Sequence, residues 1–176
     1  PSNIIMSLGG TLDEDTVHSI ARLPGVVNAE GVVNSGIRWK PTLEAEWKDA
    51  GLIARIDYNA QIFDLITLRE GAWPSSTHNT VAVEFNHITP YNVPALGGTI
   101  YFEVNKKPKA IKIGGIVRDP GQFPPPFTDQ PMFYADRDTL RLFDKVYNFN
   151  QLRVSIPHYT KKQADDTADV IEDRLK

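Results

Sequence analysis

The segment from Thr99 to Val117 leaves little freedom in how it folds. Ile100, Phe102 and Val104 alternate with Thr99, Tyr101 and Glu103, the two-residue period of a strand with one buried face. Asn105 to Pro108 carries turn-forming residues, and Ile111, Ile113 and Val117 lie on the returning strand. The two runs therefore read as a β-hairpin. Gly114 and Gly115 inside the second run predict a bulge or the close approach of another backbone. Upstream, Val81, Val83 and Phe85 alternate with Ala82 and Glu84 as a further half-buried strand, and His87 to Tyr91 reads as one helical turn before Pro94. Residues 68–120 thus form a small β module without a visible nucleophile, ligand set or phosphate cradle.

The flanks have a different rhythm. Asn3 to Leu8 is an apolar run ended by Gly9-Gly10, consistent with a buried strand. Thr11 with Glu14 matches a capping box, and Asp13 offers a second cap one step inside. Val17, Ile20 and Leu23 then share a helical face that Pro24-Gly25 terminates, and Val26 to Val33 reads as a strand. Ile37 to Trp39 and Leu52 to Tyr58 read as strands too, joined by Pro41 to Gly51, and Ala60 to Ile66 as a short helix. After the module, Met132 to Ala135 reads as a strand and Asp136 as the cap of a helix through Phe143. Leu152, Val154 and Ile156 alternate as a last strand. Thr160 and Gln163 form a capping box for a helix with Ala164, Ala168, Ile171 and Leu175 on one face.

Strand-then-helix patterns at both ends predict an α+β fold of two lobes. Residues 1–66 and 149–176 form an α/β lobe, and residues 67–148 a β-rich lobe inserted into it. The chain starts on Pro1 with strand-like residues and stops inside a helical pattern, so it reads as part of a longer protein with both ends on one side.

Composition removes several functions. With 41% hydrophobic and 23% charged residues the chain is ordinary globular protein, and a net charge of −3 gives nucleic acid or anionic lipid no broad attraction. Lys106, Lys107, Lys109 and Lys112 alternate with other residues along a strand edge, as on a solvated face. There is no cysteine, hence no disulfide and no thiolate site. His18, His78, His87 and His158 lie in no metal-binding spacing and read as surface or loop residues. Asp13, Glu14 and Asp15 suit the first turn of a helix without a metal. No glycine run matches a dinucleotide or phosphate loop, and carboxylates such as Asp57 and Asp64 lack a setting that marks an acid and a base. We expect no catalytic residue, no metal and no cofactor.

The remaining feature is Gln122 to Thr128, QFPPPFT. Three prolines stiffen an extended segment and remove backbone donors, and Phe123 and Phe127 flank Pro124, Pro125 and Pro126. The two rings either face a partner or tuck under the loop onto their own lobe. Trp73-Pro74 poses the same choice between contact and burial at the lobe junction.

The order of LREGAWP, VAVEF, LGGTIYF, KIGGIVRDP and MFYADRDTLRLF, preceded by HSIARLPGVVNAEG, resembles the periplasmic core domain of MacB/FtsX-type ABC-transporter permeases. The resemblance runs through nearly the whole chain, except for residues 35–51 and a longer proline-rich loop. It implies an extracytoplasmic domain of a membrane permease, one lobe of it porter-like. The permease would act with a cytoplasmic ABC ATPase, a second permease protomer and a periplasmic adaptor or other envelope protein. It implies mechanical coupling to ATP hydrolysis, for export or for work outside the membrane, and no chemistry or nucleic-acid partner. A module of the same fold that controls a cell-wall hydrolase or senses a ligand is the other reading.

Overall fold

The computed structural model describes residues 3–145 and 147–176. Along the chain these form β1 (Ile4–Leu12), α1 (Glu14–Ala21), β2 (Asn28–Lys40), β3 (Lys48–Arg55), β4 (Thr67–Gly71), β5 (Thr80–Glu84), β6 (Thr99–Val104), β7 (Lys107–Arg118), β8 (Met132–Asp136), α2 (Arg137–Leu142), β9 (Phe149–Ser155) and α3 (Lys161–Leu175). The fold is α+β with a mixed sheet and few helices. Two compact units result, Pro1–Val32 with Ile62–Asp64 and Asn148–Lys176, and Val33–Gln61 with Leu65–Tyr147.

In the first unit β9 lies between β1 and the opening residues of β2, antiparallel to both. Ile4, Val154 and Ala29 stand in register and are buried, together with Leu152, Val17 and Ile20 of α1, and Ile171 of α3. The cap of α1 is Asp13, whose carboxylate accepts the Thr16 N–H at 2.8 Å, and not Thr11, which still belongs to β1. The strand continues through Gly9-Gly10 instead of ending there, with a register shift between Ser7 and Leu12. At α3 the expected Thr160 cap forms, accepting the Gln163 N–H at 3.2 Å, while the Gln163 side chain meets the Thr160 hydroxyl at 3.3 Å instead of closing the box on its backbone N–H. On the opposite face of the sheet Glu30 accepts the N–H groups of Ile62 and Phe63, and Arg153 pairs with Asp64 at 3.0 Å.

The second unit is built on a ring of strands. β2 from Val33 onward pairs with β3, β3 with β8, β8 with β5, β5 with β7, β7 with β6, and β6 returns to Trp39 and Lys40 of β2. Closure removes the sheet edges within this ring, while β4 adds to the free half of β7. Inside, Phe133 meets Trp39 and Phe102 edge-on at 5.4 and 5.2 Å, and Phe143 meets Phe102 at 5.1 Å. Asp136 caps α2 through the Thr139 N–H at 2.8 Å and also accepts the Ser76 N–H at 2.7 Å.

The hairpin of β6 and β7 is present, and Asn105 and Lys106 both have positive φ between the paired Val104 and Lys107. That is the two-residue turn whose twist suits a hairpin. Gly114 is the extra residue of a bulge, since Val81 pairs with Ile113 and Ala82 with Gly115. A side chain on Gly115 would strike the Ala72 carbonyl.

Three further expectations fail for physical reasons. The separate strands Val26–Val33 and Ile37–Trp39 are one strand, β2, because β3 continues the ladder through Gly36. Residues 33–61 accordingly belong with the second unit, not with residues 1–32 as the sequence reading had it. The helix at Ala60–Ile66 does not form. Only Tyr58–Ala60 turns, as a 3-10 helix, and the Gln61 side chain bonds the Tyr58 carbonyl and both polar groups of Ile66 in place of helical bonds. Lastly, Val81 to Glu84 is buried on both faces instead of alternating, and β5 is an inner strand with β7 and β8 on its two edges.

Candidate functional site

Prolines at 120, 124, 125, 126 and 131 keep residues 119–131 out of the sheet, and this loop joins β7 to β8. Its foot is dry. Glu84, buried at the end of β5, accepts Arg118 Nη1 at 2.6 Å, the Asp119 N–H at 3.2 Å and the Phe85 N–H at 2.9 Å. Asp119, also buried, accepts the Tyr134 hydroxyl at 2.8 Å and the Gly121 N–H at 2.8 Å. Burial, and then the Asp119 charge, push the Tyr134 phenol well above its ordinary range, so it stays a neutral donor.

Further along, His87 holds the loop to β8. Its Nδ1 accepts the Met132 N–H at 3.0 Å, so Nε2 carries the proton and donates to the Phe123 carbonyl at 3.1 Å. His87 is buried, against the expectation of a surface histidine. The Tyr91 hydroxyl donates to the Thr128 carbonyl at 2.5 Å, and the Tyr91 ring meets His87 edge-on.

Between these anchors Pro124 to Phe127 is a tight turn, closed by the Phe127 N–H on the Pro124 carbonyl at 3.0 Å, with a cis Pro125–Pro126 bond. The expected extended segment is replaced by this turn. Phe123 is 69% exposed and Phe127 77%, with Pro124 and Pro126 exposed beside them. The rings do not tuck under the loop. Trp73 is different: it is half-buried and stacks on Tyr58 at 5.1 Å and 11°, leaving it less surface to offer.

Beside the turn lies a hollow of about 360 Å³, walled by Trp39, Pro90, Tyr91 and Pro131 and rimmed by Lys48, Asp49 and Asp129. A second hollow of about 330 Å³ shares Asp49 and Gln130 with it. Among the described residues no group of three histidine, aspartate or glutamate side chains is placed to hold a metal. Asp57 caps its 3-10 helix through the Asn59 N–H, and Asp64 pairs with Arg153. The geometry is that of an apolar knob on a fixed stalk.

No protein-family model matches the sequence, and no curated protein matches it. Solved structures do. The extracellular domain of the noncanonic ABC-type transporter YknZ from Gram-positive bacteria superposes with a TM-score of 0.60 at 9% identity, over 97% of this chain and 92% of that one. The periplasmic region of MacB from Actinobacillus actinomycetemcomitans gives 0.60 at 14% identity, over 97% and 82%. This chain has the MacB-type periplasmic fold. A domain of a putative permease from Porphyromonas gingivalis gives 0.56 at 15% identity, over 97% and 78%. The resemblance carried by the order of glycine turns and apolar strands agrees with this. Within the MacB-type fold the knob is the feature that a motif comparison passes over, since it rests on the exposure of two rings and not on a pattern.

Proposed function

We propose that the chain is the extracytoplasmic domain of an ABC-transporter permease, which carries movement generated by a cytoplasmic ATPase to export or to work outside the membrane. The observation that carries this reading is the superposition of 97% of the chain on domains described as extracellular, periplasmic or permease. Other features support it. No described helix is long and apolar enough to cross a membrane, and a cysteine-free chain tolerates an oxidising compartment. In this reading the domain performs no catalysis and acts by contact. Its partners are the ATPase, reached through membrane segments outside this sequence, a second permease protomer, and an adaptor or other envelope protein at the knob. The two units serve as a porter-like lobe and an inserted β-rich lobe.

The lack of cysteine provides the test. In the native full-length protein, Lys107→Cys at the exposed β6–β7 turn introduces the only cysteine of this segment. A membrane-impermeant maleimide added to intact cells labels it if the domain lies outside the membrane. Labelling only after lysis overturns the proposal.

A further inference from the structure

The turn between β6 and β7 lies at the opposite end of β7 from the proline-rich loop, and its chemistry is opposite too. Lys106 occupies the turn, Lys107 opens β7 and Lys109 follows two positions on. Lys106 and Lys107 are exposed, and Lys109 is half-buried. None of them forms an ion pair among the described residues. The nearby carboxylates gather on Arg38: Glu103 pairs with it at 3.2 Å, and Asp49 stands opposite it on β3. These three line the second hollow together with Lys145, which also lacks an ion pair among the described residues. In a chain of net charge −3 the turn therefore keeps an uncompensated positive charge.

We propose that this turn rests on an anionic lipid surface, with its lysines against the phosphates of the headgroups. That a membrane is within reach rests on the permease reading; that the turn suits one follows from its chemistry. Lysine is a compact, hydrated point charge and matches a field of phosphates. A protein partner is held by aromatic, apolar or arginine anchors, and lysine is depleted in such interfaces. No large apolar side chain of residues 99–118 is exposed, and the arginines at hand are engaged, Arg38 by Glu103 and Arg118 by Glu84. A single bound phosphate is held in a concave site by converging donors, whereas these lysines stand on an exposed turn.

Two features favour the contact. Val104 pairs with Lys107 and Glu103 with Pro108, so the ladder already fixes the turn and little freedom is lost on landing. The rest of the chain is negative on balance and is repelled by the same surface, which turns the basic end toward it. Each lysine close to anionic headgroups contributes about fivefold, so the three together give on the order of hundredfold at low salt. In ~1 M salt, where charges act over only ~3 Å, the contact is lost.

Flotation of the 176-residue chain with phosphatidylcholine vesicles, with and without phosphatidylglycerol, tests this apart from the rest of the permease. A chain that stays unbound overturns the inference and leaves the maleimide test, and with it the permease reading, untouched. Binding is expected only with phosphatidylglycerol present, and it should vanish in ~1 M salt. Lys106→Gln with Lys107→Gln is expected to weaken it by about tenfold or more. Lys161→Gln with Lys162→Gln removes the same charge from α3 and should weaken it by less than about threefold. Equal losses in the two pairs, or binding to pure phosphatidylcholine, overturn the inference. So does binding that Phe123→Ala with Phe127→Ala abolishes, which would assign lipid to the proline-rich loop. Release by inorganic phosphate at matched ionic strength, or tighter capture by poly-glutamate than by vesicles, would assign the turn to free phosphate or to an acidic protein, and overturns it as well.

Discussion

The foot and the tip of the β7–β8 loop are built on opposite principles. At the foot Glu84, Asp119, Tyr134 and His87 are withdrawn from water and hydrogen-bonded to one another or to backbone. At the tip Phe123 and Phe127 face solvent. A buried hydrogen bond resists breaking because its groups would be left desolvated, whereas an exposed ring contributes little to folding. The foot therefore fixes where the tip stands, and the tip is free to meet something else. Buried polar anchors and exposed rings thus stand only a few positions apart.

The sharpest way to break this division is at Glu84. Glu84→Ala leaves the N–H groups of Phe85 and Asp119 without their acceptor and Arg118 without its carboxylate, and we expect a loss of about 2–4 kcal/mol in urea unfolding. Arg118 is 41% exposed and regains water, which keeps the loss from being larger. A stability equal to wild type would mean that the foot is not a clamp. His87→Ala removes one donor and one acceptor at once. It should cost about 1–3 kcal/mol and speed amide exchange at Met132, whose N–H it now holds. Tyr134→Phe leaves Asp119 short of one buried donor, and about 1–2 kcal/mol should be lost. At the tip, Phe123→Ala and Phe127→Ala should change stability by no more than about 0.5 kcal/mol, and a larger effect would show that the rings pack.

The smallest effect sharpens the contrast from outside the loop. The bond from Thr16 holds the Asp13 carboxyl below its ordinary range. Its folded pKa is thus lower than its unfolded one, so the cap stabilises above the ordinary carboxylate range and is lost as pH falls through the folded value. Asp13→Asn keeps an acceptor at the cap and removes the proton. Unfolding followed between pH 7 and pH 3 should show a shallower acid dependence than wild type, and an unchanged slope would remove Asp13 from the acid response (about one group's worth).

What the sequence made legible was local. The Asn105–Lys106 turn, the caps at Asp136 and Thr160 and the Gly114 bulge depend on residues within a few positions, and all are present. What it hid was distant. Nothing near Ala60–Ile66 reveals that Gln61 will take over the helical hydrogen bonds, or that Glu30 will accept the N–H groups of Ile62 and Phe63. The continuity of β2 needs β3 beside it, and the partners of the buried Glu84, Arg118 and the Asp119 N–H, lie 34 and 35 positions away. One signal was available. Arg118-Asp119 directly follows an apolar strand, and Glu84 ends another, so charges of both signs abut buried runs. The knob was visible as composition, but whether its rings faced outward depended on the His87 and Tyr91 anchors, residues more than 30 positions upstream.

The proline turn has one further consequence, for survival. Proteases that cut after aromatic residues draw the chain out as a strand and bond to its N–H groups, and exposed loop tips are where they begin. Here the bond after Phe123 leads into proline, the next two residues are proline as well, and the Phe127 N–H is already engaged by the Pro124 carbonyl. The two most exposed large apolar side chains among the described residues thereby sit in a segment that digestive enzymes grip poorly.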